Sequence, residues 1–349
     1  MSVLKSIKIF GSGSIGNHLA HAARSLDIDV DVIDIDPVAL DRMRNEIYPA
    51  RYGHWDDQIN LYLSGSEPAE RQYDLIIIGT PPDTHMELAK IALNELPKAI
   101  LIEKPICGPL ELEDLRKVTE LAIRNGIRLF CGYDHSVSPS IEKLVQLCGR
   151  FSRDDLMSID VEWREYWGGI LAAHPWLNGP ADSYLGFWRR GGGALCEHSH
   201  GLHLLVYLSS VLGLGSCMNV ASNLDLFNDS VCEYDRTAHL SLTFESGVEV
   251  NCVQDVITFP PMKRVSIKFK SIELNWSVNS GGEFDEVAVV DNGTVTESFR
   301  FEKRRPDDFI GELMHIDSVL GSQLVAESPL DIAFGSEVME LISGSFASV

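Results

Sequence analysis

Positive charge is scarce in this sequence. Its 349 residues carry 29 Lys and Arg against 51 Asp and Glu, a formal net charge of −22. A surface of that sign repels phosphate backbones and anionic lipids, so neither nucleic acid nor a membrane is expected as a partner. Long apolar runs are missing as well. None approaches the roughly 18 residues that cross a bilayer, and no signal segment precedes the first strand-like run. The 7 cysteines never fall in CxxC spacing. An odd, scattered set reads as reduced thiols, and so as a cytoplasmic protein. The HExxH order of many zinc enzymes is absent, and no metal is expected. Low-complexity tracts and internal repeats are absent too. What remains has ordinary hydrophobic content and is too long for one compact core, so two domains are expected.

The most informative stretch lies at the start. The apolar run Ile7-Lys8-Ile9-Phe10 leads into Gly11-Ser12-Gly13-Ser14-Ile15-Gly16, then a helical pattern, then Val30-Asp31-Val32-Ile33-Asp34. Strand, glycine loop, helix, strand and acid occur in the order that binds a dinucleotide. Gly11 permits the tight turn, Gly13 lets the backbone approach a pyrophosphate, and Gly16 lets the helix sit close to the sheet. Ser14 and Ile15 open the helix, whose unpaired N–H groups face the phosphates. Asp34 lies roughly 20 residues on, where a carboxylate accepts from a ribose 2′-hydroxyl and repels a 2′-phosphate. Ile35 follows it rather than an arginine, so NAD is expected in preference to NADP.

Up to about Gly132, apolar runs alternate with helical patterns: Asp74–Ile78, a helix over Thr84–Leu96, Ala99–Ile102, a helix over Leu110–Asn125 and Arg128–Cys131. That is a parallel, doubly wound sheet. The second half instead alternates with period 2, in Ser158–Tyr166, Ala238–Phe244, Val248–Val253, Val265–Phe269, Glu273–Val278 and Glu286–Val290. Turns at Glu245-Ser246-Gly247 and Asp291-Asn292-Gly293 suggest hairpins. Helices are expected over Ala194–Leu212, Asp307–Leu320 and Leu330–Leu341. The expected fold is therefore an α/β Rossmann domain over 1–132 and an α+β domain with a large, mostly antiparallel sheet over 133–329. A C-terminal helix, 330–349, is expected to pack back on the Rossmann domain. The free face of the sheet is either a solvated polar surface or the seat of a homodimer or homotetramer.

Two further motifs carry chemistry. Glu103-Lys104-Pro105 stands at the carboxyl end of a parallel strand, where open α/β sheets bind ligands. Lys104 there can stabilise charge on a substrate oxygen, or be a solvated strand-end lysine. The second motif runs from Gly191-Gly192-Gly193 to Glu197-His198-Ser199-His200-Gly201-Leu202-His203. On one helix Glu197, His200 and His203 share a broad face, and histidine is the natural base for an alcohol. Between Trp163 and Arg190 lie Trp163, Trp167, Trp176 and Trp188, with Tyr166, Tyr184 and Phe187. Such aromatics either stack on sugar faces or fill a core, and Arg164, Arg189 or Arg190 can hold a phosphate or carboxylate.

Taken together, these stretches resemble the Gfo/Idh/MocA oxidoreductases. The resemblance rests on the glycine loop with Asp34-Ile35-Asp36-Pro37, on Gly79-Thr80-Pro81-Pro82-Asp83-Thr84-His85, on Glu103-Lys104-Pro105, on the GGGAL segment and on Phe309–His315. It implies a Rossmann domain, a domain with a large open sheet, and oligomers built on that sheet. It also implies Thr80, Pro81, His85 and Glu103 beside the cofactor and Lys104 as the catalytic-site lysine. One subgroup reads roughly Glu-x-Ser-His-x-x-Asp, which fits Glu197–His200 with His203 in place of the final acid. The catalytic histidine is thereby carried onto His200, with His203 as the alternate. The segment His174-Pro175-Trp176 through Ser183-Tyr184 is also similar to that subgroup, whose members often serve surface-carbohydrate pathways.

The function expected is NAD-dependent oxidation of a secondary alcohol on a sugar, sugar derivative or cyclitol. Lys104, Tyr166, Trp176, Tyr184, Arg189 and His200 would bind the substrate, and Lys104, Glu197 and His200 or His203 would serve the chemistry. The alternatives are an NAD-retaining sugar enzyme without net redox change, such as a glycosidase, and a non-catalytic NAD- or sugar-sensing protein.

Overall fold

The computed structural model describes residues 2–172, 174, 176–278, 284–304, 306–322 and 327–347. The chain divides into two compact units. The first contains residues 1–107, 113–134 and 305–332. Its strands are β1 (Ser6–Phe10), β2 (Asp29–Asp34), β3 (Ile59–Leu63), β4 (Leu75–Ile78), β5 (Ala99–Glu103) and β6 (Arg128–Gly132). They form one parallel sheet in the order β3-β2-β1-β4-β5-β6. Its helices include α1 (Ser14–Ser25), α2 (Pro37–Arg42), α3 (Tyr48–Tyr52), α4 (His85–Asn94) and α5 (Leu112–Asn125). Strands β1, β4 and β5 are almost wholly buried, as continuous apolar runs covered on both faces must be. Strand β3 has no such run; it lies at the sheet edge and is only partly buried, so its pattern does not announce it. The strand order reverses between β1 and β4, and ligands bind outside the carboxyl ends at such a point.

The second unit contains residues 108–112, 135–304 and 333–349. Its helices include α6 (Pro139–Cys148), α7 (Trp167–Ala172), α8 (Gly193–Glu197) and α9 (His200–Val211). Its strands are β7 (Leu156–Tyr166), β8 (Cys217–Asn228), β9 (Glu233–Phe244), β10 (Glu249–Asp255), β11 (Ile257–Phe269), β12 (Ile272–Val278), β13 (Phe284–Asp291) and β14 (Thr294–Glu302). The order is β14-β13-β12-β11-β7-β10-β9-β8. Only β7 and β10 pair in parallel; every other neighbour is antiparallel. Alternate residues such as Val161 and Trp163, Leu240 and Leu242, and Leu274 and Trp276 are buried on the helix-covered face. The edge strands β8 and β14 are not evident in the sequence. Most of their residues are exposed or only partly buried, so they carry no strong apolar alternation.

Three expectations from the sequence are corrected by the fold. The helix Asp307–Gly321 (α10) belongs to the first unit, not to a 133–329 domain. Its buried stripe Phe309, Leu313, Ile316 and Val319 faces that unit, with Phe309 stacked 5.0 Å from His18 of α1. Asp317 accepts the backbone N–H groups of Val3 and Leu4 at 2.7 Å. The last helix, Ile332–Ala347 (α11), does not join the Rossmann unit; it falls in the second unit, where Phe346 stacks on Trp188 at 4.3 Å. Amphipathic stripes specify a partner face but not which one. Finally, the helix expected over Ala194–Leu212 is two helices, because His198 leaves helical geometry at φ −100° and ψ 22°. The break lays α9 directly on β7: a Cβ at Gly201 would come within 2.9 Å of the Trp163 Cβ.

Candidate active site

The glycine loop after β1 is shaped by close approaches. Gly11 has φ +102° and donates its N–H to Ile33 O at 2.8 Å. A Cβ on Gly11 would lie 2.8 Å from Gly79 O, and one on Gly16 would lie 2.0 Å from Gly11 O. Gly13 differs, since a Cβ there would meet nothing within 4 Å. The first two glycines therefore close the turn onto the helix and β4, while Gly13 leaves open the space over the helix start where a pyrophosphate sits. Asp34 ends β2 and takes hold of the loop itself. Its Oδ2 accepts the Ser12 N–H at 2.8 Å and the Ser12 hydroxyl at 2.7 Å, and its Oδ1 accepts the Asp36 N–H at 3.0 Å.

One basic residue at this loop has no signal in the sequence. Arg51 of α3 donates to Ser14 O at 2.9 Å and to Ser14 Oγ at 2.8 Å. It places a guanidinium at the first turn of α1, where it adds to the positive end of the helix. Its spacing from the glycines does not reveal that; the π-helical turn Met43–Ile47 and α3 bring it back.

Around β4 and β5 the loops are braced rather than loose. Thr80 Oγ1 and Thr84 Oγ1 lie 2.7 Å apart, and Thr84 Oγ1 donates to Pro81 O at 2.7 Å. Ile15 packs beneath Gly79, and Pro81 is exposed. His85 is fully buried, with Nε2 2.7 Å from Thr80 O and the backbone of Pro105 and Ile106 beside it. Burial pushes its imidazole down to about 4, so it stays neutral. His85 thus ties the Thr80 loop to the turn after Lys104 instead of presenting a surface. Glu103 is buried, and its carboxyl carbon stands 2.8 Å from where a Gly132 Cβ would be. Lys104 is half-buried at the end of β5.

A second acid, Glu312 of α10, is fully buried, and among the described residues neither carboxyl oxygen finds a hydrogen-bond partner. Burial first, then the charges of Glu103, Asp134 and Asp308, holds its carboxyl well above the ordinary range. Its charged form is disfavoured there.

In the second unit His200 begins α9. Its ring stacks on Trp163, with centroids 5.2 Å apart and planes at 22°, and meets His135 edge-on at 5.0 Å. Lys263 Nζ lies 4.8 Å from the Trp163 ring centre and 2.7 Å from Glu165 Oε1. His200 remains partly accessible, whereas His203 is fully buried and edge-on to Phe334 of α11 at 6.3 Å. The broken helix therefore separates the two histidines by environment. Glu197 is half-buried and accepts the Tyr184 hydroxyl at 2.7 Å.

The aromatic segment divides between core and surface. Trp163 and Trp167 are buried, Trp167 in a cluster with Leu185, Ala194 and Val256. Trp188 packs on Phe346, and Arg164 is held by Glu162 at 2.7 Å and Asp255 at 2.9 Å. Those are structural. Tyr166 is 46 % exposed, edge-on to Phe259, and Trp176 is half-buried against His174. Arg189 is exposed, lies over the Trp188 ring and pairs with Glu233. Pro175 lies outside the described residues.

The residues after β1 and β2 fit a dinucleotide: Gly11, Gly13 and Gly16 leave the cradle one would need, Ser14 and Ile15 open the helix whose N–H groups would meet its phosphates, and Asp34 stands where a ribose hydroxyl would find an acceptor. Residues of this kind in this order mark an NAD-binding Rossmann domain. Residues 6–133 match the model GFO_IDH_MocA, described as the oxidoreductase family with an NAD-binding Rossmann fold. Comparison with curated protein sequences gives no match. Among solved structures the chain is similar to the UDP-N-acetylglucosamine 3-dehydrogenase GnnA from Acidithiobacillus ferrooxidans, at 15% identity and TM-score 0.72 over 99% of this chain and 98% of that one. It is similar to the WlbA dehydrogenase from Bordetella pertussis, in complex with NADH and UDP-GlcNAcA, at 17% identity and TM-score 0.69 over 98% and 95% of the two chains. GenD2 from gentamicin A biosynthesis, in complex with NAD, gives 16% identity and TM-score 0.73 over 100% and 95%. These likenesses extend the shared fold to the whole chain. Among the described residues no helix is long and apolar enough to cross a membrane.

Proposed function

We propose that the protein oxidises a secondary alcohol of a sugar, most specifically a nucleotide-linked or acidic sugar, with NAD as acceptor. The observation that carries this is His200: a partly accessible residue whose imidazole is stacked on the buried Trp163 and edge-on to His135. In this reading His200 takes the hydroxyl proton. Lys104 steadies the charge that develops on the oxygen. Glu197 with Tyr184, and Tyr166, Trp176 and Arg189, hold the sugar and its acidic group. NAD, when bound, supplies the hydride acceptor. The similar proteins support the sugar class: one is a UDP-N-acetylglucosamine 3-dehydrogenase and another holds UDP-GlcNAcA with NADH.

The test is NADH formation, read at 340 nm, over a panel of UDP-sugars, UDP-uronates, free sugars and cyclitols. The expected result is turnover with at least one UDP-linked or acidic sugar. Sugar conversion with retained NAD and no net absorbance change would replace this reading with the non-redox one. Binding without any conversion would leave the sensor.

The same reading places the enzyme in the cytoplasm, with its cofactor and reduced thiols; none of the cysteines forms a disulfide among the described residues. It also makes the protein a homodimer or homotetramer through the second unit's sheet. Exposed apolar side chains support that: Met218 on β8, Phe259 on β11 and Val295 on β14. Light scattering is expected to give two or four times the 38.7 kDa chain mass; a monomer at micromolar concentration would rule the assembly out.

A further inference from the structure

We propose that Asp235 is a positioning residue that holds the start of the Glu197–His200 segment; this deepens the functional reading above and rests on it. Asp235 lies on β9 and is fully buried. Its Oδ2 accepts the backbone N–H of Leu195 at 2.7 Å, and the Ala194 N–H lies beside the same carboxylate. These are first-turn N–H groups of α8, which have no partner within the helix itself. Gly193 completes the fit. It has φ +84°, and a Cβ there would lie 2.0 Å from Asp235 Oδ1. The carboxylate therefore fills the space that any side chain at 193 would need. Strand β9 grips the helix start through one acid, and the chain reaches Glu197 and His200 immediately afterwards.

The surroundings make that grip sensitive to protonation. Ala194 belongs to the apolar cluster of Trp167, Leu185 and Val256. The nearby charges are committed elsewhere: Glu233 to Arg189, Arg236 to Asp225 and Asp255 to Arg164. Among the described residues it is backbone N–H groups that face the carboxylate, and burial outweighs them, pushing Asp235 up to about 7. The native acid holds its proton more tightly than the unfolded one. Its contribution to stability is complete below the unfolded carboxylate range and is lost as pH rises through about 7. The last part of that loss falls at the pH where a histidine base works.

The experiment compares the full-length protein with Asp235→Asn, which keeps an acceptor oxygen but cannot ionise, and with Asp235→Ala, which removes the acceptor. In the unaltered protein the Leu195 amide resonance is expected to titrate near pH 7, and in Asp235→Asn that titration should vanish. Asp235→Ala is expected to shift the His200 ring resonances and to lower kcat about 10- to 100-fold with little change in the KM for NAD. Asp235→Asn should recover most of that loss. A Leu195 amide that does not titrate, or His200 resonances identical in Asp235→Ala, would overturn the proposal. The resonance readings need no substrate, so they stand or fall separately from the dehydrogenase reading. Should Asp235→Ala fail to fold, the titration in the other two proteins still decides.

Discussion

Replacement of Lys104 by methionine is expected to lower kcat by about 10²- to 10³-fold while leaving the KM for NAD within about twofold. Methionine keeps the length and the apolar stem and removes only the charge. The position justifies a large effect. Lys104 follows the last residue of β5, at the end of a parallel strand where ligands bind, and it is half-buried rather than free in solvent. The turn behind it is braced by His85, whose ring spans from Thr80 O to the backbone of Pro105 and Ile106. A merely solvated lysine would need no such support. The glycine loop and Asp34 belong to other segments, so cofactor affinity should largely survive. Steady-state kinetics on the sugar found active in the panel provide the check. An unchanged kcat would remove Lys104 from the mechanism.

Replacement of His200 by asparagine is expected to cost about 10²- to 10⁴-fold in kcat, the range for loss of a general base. The matching change at His203 serves as the contrast. His203 is fully buried beside Phe334, so His203→Asn should act on stability and lower the melting temperature. Its residual kcat, measured on the folded fraction, should stay near that of the parent. His200 stays partly accessible as a residue while Trp163 and His135 fix its ring plane. If His203→Asn abolished turnover in a well-folded protein and His200→Asn did not, the assignment would be reversed.

The cofactor half of the site is legible in the amino-acid sequence because its requirements are local. A loop that must turn sharply off one strand and crowd a helix leaves only glycine at 11 and 16, and the close approaches of 2.8 Å and 2.0 Å are the reason. Buried parallel strands read as unbroken apolar runs, and hairpin turns carry their own residues, as at Asp291-Asn292-Gly293 between β13 and β14. Arg51 is not legible in that way, because its place at Ser14 depends on how residues 43–52 fold back. Glu312 and Asp235 are hidden for a related reason. A lone acid in an amphipathic helix or a strand looks solvated until its neighbours are known.

The sequence by itself determined a doubly wound NAD-binding domain and a second domain with a large, mostly antiparallel sheet, and it proposed a short set of residues for the chemistry. Each of those rests on spacing within one stretch of chain, where the backbone permits few outcomes. Tertiary structure alone decided which histidine is accessible, which tryptophans are core, where α10 and α11 pack, and what grips the helix after Gly193. Those outcomes depend on side chains far apart in sequence competing for the same buried space, and one chain's pattern does not contain the result of that competition.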